Sequence, residues 1–248
     1  MFKKQPVKRK LFIYSCLTFL VLVTAIFLLN PQKNQAIANE PDVVKKIREE
    51  RNRPVSNIPD HPYPFGYKNS WLAIKSDSPQ DVIDKLNLKV IGESNWQTGI
   101  NTADRERWLF VSPSLDGFVL VVGLLGLQMD ELKNMSGCFD ELQYFETHRT
   151  VEHHLWIKFA NDKLVRAYIF SELQVLIDEG ELTLEEKKLG FEKFPTSRHQ
   201  VVDWKDDEWD NDKLPSENDV LDIAAAWGID PLFRKNKYPP STGFLCQK

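Results

Sequence analysis

Three of the chain's five histidines and two carboxylates fall within nine residues: Glu146, His148, Glu152, His153 and His154. Neutral imidazole and carboxylate are good ligands for zinc-like divalent ions, and such an ion would support metal-assisted hydrolysis. On one unbroken strand, Glu146, His148, Glu152 and His154 would share a face, because side chains alternate with period two. The spacing matches no standard zinc motif, with neither H-E-x-x-H nor a cysteine pair. A second reading of the alternation turns Val151, His153, Leu155, Ile157 and Phe159 inward and leaves His154 and Trp156 on the other face. His153 is then a hydrogen-bonded core histidine. The chemical alternative is a metal-dependent hydrolase with His148, Glu152, His153 and His154 around a zinc-like divalent ion; the structural one requires no cofactor.

A second cluster is acidic and aromatic: Trp204, Asp206, Asp207, Glu208, Trp209, Asp210 and Asp212. Counted from Asp206, the residues Glu208, Asp210, Asp212 and Glu217 take positions 3, 5, 7 and 12 of a calcium loop. Asn211 stands where that loop wants glycine, no helix leads in, and Pro215 disturbs the geometry. A solvated acidic loop with two tryptophan anchors accounts for the run better. Trp204, Asp206, Asp207, Glu208 and Trp209 are therefore the expected binding residues. Nucleophilic catalysis finds little support: Ser112 and Ser114 lie in a turn beside Asp116, without a G-x-S-x-G elbow. Gly123 and Gly126 follow a strand, yet two glycines without a phosphate-binding lysine make no P-loop.

Several elements must position these residues. Residues 71–75, 107–111, 118–122 and 142–147 read as strands, with residues 112–117 a turn by composition. A hairpin follows, with arms at 153–160 and 164–170 around Asn161-Asp162, and residues 172–178 add a further strand. Ser78-Pro79-Gln80-Asp81 opens a helix with a capping serine and proline at its first position. Residues 129–135 form another helix, ending near Gly137. Thr183-Leu184-Glu185-Glu186 and Ser216-Glu217-Asn218-Asp219 are capping boxes, the latter opening a helix with Val220, Ile223, Ala224 and Trp227 on one stripe. Residues 43–53 are charged and suit a short helix within a linker. Grouped strands with helices between them predict an α+β fold: a largely antiparallel sheet with short helices at its edges, preceded by an N-terminal transmembrane helix.

That last helix is residues 11–29, uncharged and strongly apolar, after a basic tail at 1–10 with five lysines and arginines. At about 1.5 Å per residue it is roughly 28 Å long, close to a bilayer's hydrocarbon thickness. The positive tail stays in the cytoplasm and the remainder goes out, through a linker at 30–68 to a domain at 69–248. The alternative is a secreted or periplasmic protein cleaved after Ala38 of Ala36-Ile37-Ala38. Eleven of 32 Lys+Arg and four of 36 Asp+Glu fall in residues 1–53, leaving 21 against 32 and net −11 for residues 54–248. Such a domain repels phosphate backbones, which excludes nucleic acid as its natural ligand, and it attracts a basic protein partner. Cys138 and Cys246 either close one disulfide in an oxidising compartment or remain separate, with Cys138 packing as a small hydrophobe.

The segments WLFVSPSLDGFVLVVG, ELQYFETHRTVEHHLWIKF, LVRAYIF, IDEGELTLEEKKLGF and DVLDIAAAWGIDP resemble a set of small uncharacterised bacterial α+β domain proteins. The likeness spans residues 71–233, implies a single bacterial domain, and carries no known activity. Taken together, the sequence predicts a single-pass, membrane-anchored extracytoplasmic binding domain that senses or neutralises a protein partner. The metal-dependent hydrolase is the alternative.

Overall fold

Nine apolar-rich segments join into one antiparallel sheet in the computed structural model, which describes residues 41–193, 214–235 and 238–248. The strands are β1 (Asn69–Lys75), β2 (Lys89–Asn95), β3 (Leu109–Val111), β4 (Phe118–Val122), β5 (Glu141–His148), β6 (His153–Ala160), β7 (Lys163–Ser171), β8 (Gln174–Gly180) and β9 (Thr242–Gln247). Their spatial order is β2-β9-β3-β4-β1-β5-β6-β7-β8, which makes β2 and β8 the edges. The described helices are α1 (Asp42–Arg51), α2 (Pro79–Lys85), α3 (Trp96–Glu106), α4 (Met129–Ser136), α5 (Leu184–Lys188) and α6 (Glu217–Trp227). Residues Arg51–Lys248 form one compact unit, and residues 41–50, which carry all of α1 but Arg51, are the described part of the unit Met1–Glu50.

The centre of the sheet is buried on both sides, so its central strands are apolar throughout rather than alternating. All five residues of β4 are buried, as are Trp71, Leu72, Ala73 and Ile74 of β1. One face carries Trp71, Phe145, Trp156 and Tyr168 against Val220, Ile223, Ala224 and Trp227 of α6. Two stacked pairs bind strand to strand there, Trp71 on Phe145 at 5.1 Å and Trp156 on Tyr168 at 4.5 Å between centroids. The opposite face carries Leu72, Val121, Leu142 and Tyr144 against Val82 and Ile83 of α2 and Leu132 of α4. Each fully buried side chain of this size contributes about 1.5–3 kcal/mol. The helices thus cover the sheet's faces, and the expected placing of helices at its edges is corrected in that respect.

The capping signals are realised. Ser78, Thr183 and Ser216 accept hydrogen bonds from Asp81, Glu186 and Asp219 N–H, as the sequence predicts. Three elements are additional to the sequence reading: β2, α3 and β9. Asn95 caps α3 by accepting from Thr98 N–H, and the side chain of Asp60 accepts from the N–H groups of Trp96 and Gln97. The later part of the segment expected as a linker, residues 51–68, belongs to this unit: Phe65 is buried against Trp71, and Asp60 and Ser241 form an isolated bridge. Cys138 is exposed and Cys246 is buried on β9, and both thiols are free. Neither the disulfide nor the packed Cys138 is realised. No described helix is long and apolar enough to cross a membrane; residues 11–29 lie outside the described residues.

Candidate functional site

The histidine segment is a hairpin, not one strand. β5 ends at His148, residues Arg149–Val151 make a 3₁₀ turn, and Glu152 takes a left-handed conformation (φ 46°) before β6 begins at His153. His148 lies opposite His153, and Thr147 opposite His154. Directly opposed residues share a face and adjacent ones do not. His148 and His153 therefore occupy one side of the hairpin and His154 the other.

On one side His154, 1% exposed, shares a 2.8 Å hydrogen bond with Thr147 Oγ1 and stacks on Phe170. Its Nε2 is 3.7 Å from Glu152 Oε2. Burial holds the His154 imidazole below its ordinary range, against the opposing pull of Glu152 and Glu217, so the ring is neutral at pH 7. Glu217, position 12 of the calcium-loop reading, is engaged with Lys68 N–H at 3.3 Å and Arg149 Nε at 3.7 Å. The buried, hydrogen-bonded histidine is thus His154, and the expectation of His153 in that role is corrected. The alternation itself holds, with His153, Leu155, Ile157 and Phe159 on one face and His154 and Trp156 on the other; His154 is buried because the sheet is covered on that second face too.

On the other side the residues open onto a groove of about 460 Å³. Leu127 N–H donates to Tyr144 Oη at 3.4 Å, and Tyr144 Oη–H donates to Glu146 Oε2 at 2.5 Å. Glu146 Oε1 faces His153 Nε2 at 3.7 Å. Burial first, and Glu146 second, push the Tyr144 phenol far above its ordinary range, so it remains a donor. The strand registers align Glu146 with Leu155, Leu155 with Ile169, and Ile169 with Ile177. These four form a straight row across β5, β6, β7 and β8, with the carboxylate at one end and apolar side chains along the remainder. Leu127, Gln128, Met129 and Asp130 wall the groove.

At the outer end the β7–β8 register slips: Ile169 faces Ile177, but Phe170 faces Val175, leaving Leu176 as the extra residue. Such a bulge re-aims a side chain. Leu176 lines the groove while 50% exposed. The chain matches no family model, no curated protein and no solved structure.

The hairpin brings together only part of the proposed ligand set, since His148 and His153 stand opposite in sense to His154. Among the described residues, no group of three or more His, Cys, Asp and Glu is placed to hold one ion. Trp204, Asp206, Asp207, Glu208 and Trp209, with the calcium-loop residues Asp210 and Asp212, lie outside the described residues. Sequence reasoning flagged Glu146 and His153 but missed the apolar row, because cross-strand register is fixed by pairing rather than by any local pattern.

A third feature is structural. Arg166, 1% exposed, donates to Asp178 and, at 2.6 Å, to Glu186, which also accepts from Trp156 Nε1–H at 2.9 Å. Glu186 Oε2 accepts from Thr183 N–H at 2.8 Å, so one carboxylate joins the α5 cap to the sheet.

Proposed function

We propose that the chain is a membrane-anchored binding protein whose acidic extracytoplasmic domain captures a basic protein partner, sensing or neutralising it. The observation that carries the reading is the preformed groove: an apolar floor ending at a carboxylate, on a unit of strongly negative charge. A site of that make-up binds by burying apolar surface and discriminates by charge. The anchor at residues 11–29 would hold the domain at the surface, and Trp204 and Trp209 would add aromatic contacts. The hydrolase alternative would need His148, His153 and His154 to meet at one ion from opposite sides of a hairpin.

The test is cross-linked affinity capture of the full chain from its own membranes. A single stoichiometric basic partner, captured less as ionic strength rises through about 0.15 M, supports the reading. Capture of no partner at any ionic strength contradicts it. Native mass spectrometry of the same preparation separates the alternative: a stoichiometric zinc-like ion would favour the hydrolase.

A further inference from the structure

Resting on that reading, we infer that the groove takes an extended segment of the partner that lies across the strands, with a lysine or arginine at Glu146 and apolar side chains out to Leu176. Three features specify this occupant. The first is length. The row Glu146, Leu155, Ile169, Ile177 crosses three strand spacings, about 14 Å, which is roughly four residues of extended chain. The second is charge: the lining residues include Glu146 and Asp130 and, among the described residues, no lysine or arginine. The third is the arrangement of donors at the polar end. Tyr144 satisfies Glu146 Oε2, while Oε1 is directed to the His153 side, where it can accept from a cation.

Simple strand addition along β8 does not bring a cation to Glu146. A segment paired to that edge would sit about four strand spacings, roughly 19 Å, from Glu146, beyond the reach of any side chain. An occupant that reaches Glu146 therefore crosses the strands, and Leu176, carried out of register by the bulge, closes the far end of its path. The segment is recognised as one cation followed by apolar residues within four positions.

The experiment selects a display library of random twelve-residue peptides against the full chain in detergent, then measures the selected peptides by fluorescence anisotropy. Enriched peptides are expected to share one lysine or arginine followed by apolar residues within four positions. Glu146→Gln keeps the acceptor for Tyr144 and removes the charge; it is expected to weaken these peptides about fivefold to tenfold. The same substitution should have no effect on peptides whose cation is replaced by norleucine. Leu176→Asp, at an exposed position, is expected to weaken both sets at least tenfold. Enrichment without the cation, or binding indifferent to both variants, would overturn the inference while leaving the protein a binder. No enrichment at all would also overturn it, and partner capture by the full chain would still decide the broader reading.

Discussion

Arg166 is the residue on which one face of the sheet most depends. It neutralises two carboxylates in a place where neither meets water, and removing one partner from such a set leaves buried charge uncompensated. Arg166→Met should lower the unfolding free energy by about 3–5 kcal/mol, read from urea denaturation of the full chain. A change below about 1 kcal/mol would show that the carboxylates find other partners. His154 makes a prediction of opposite character. Its folded pKa is depressed mainly by burial, while in the unfolded chain it titrates near about 6.5. Below that pH the unfolded state binds the proton first, so stability falls as pH drops toward the folded value. His154→Gln should flatten stability against pH in the window just below about 6.5, and an unchanged profile would place the dependence elsewhere. The sequence marked this cluster as unusual from composition alone. Which histidine is buried was not legible, because alternation assigns faces and both faces of β6 carry core residues.

At the scale of elements, strong local signals and folded structure agree where the signal is chemical. Capping residues, proline at a helix start and Asn161-Asp162 between apolar arms all stand where stereochemistry requires them. The missed elements lack such signals. In α3, Thr98, Gly99, Asn101 and Thr102 are poor helix formers; the helix is held by Asn95, Asp60 and packing on β3 instead. Gly99 shows the tertiary origin directly, since a Cβ there would meet the buried Phe110 ring at 2.4 Å. Gly99→Ala should therefore destabilise by about 2 kcal/mol despite its better helix propensity, measured by urea denaturation. A stabilised variant would mean that Phe110 moves freely. In β2, Val90 and Ile91 are both exposed and the pairing with β9 is bulged, so alternation is absent where the strand lies. β9 follows two prolines, and its pairing with β2 and β3 joins segments far apart in the chain.

At the scale of the molecule, the two cysteines of Arg51–Lys248 report on integrity. Cys138 is exposed, whereas burial pushes the Cys246 thiol up to about 11. Iodoacetamide at pH 8 should modify Cys138 in the native unit and Cys246 only after unfolding. Equal rates would contradict the buried position of β9. The net charge of −11 over residues 54–248 and the groove's carboxylate point to the same kind of partner from different distances. The first steers approach and is screened by salt, while the second acts only on contact. Neither the row of floor residues nor the bulge that exposes Leu176 could be read along the chain, because both arise from pairing between strands. The central claim is that the groove is the capture surface. Photo-cross-linking in intact membranes, with a photoreactive residue at position 176 and, as comparison, at the exposed position 184, tests it most directly. One discrete adduct from 176 alone is the result predicted here; no adduct, or the same adducts from both positions, would contradict it.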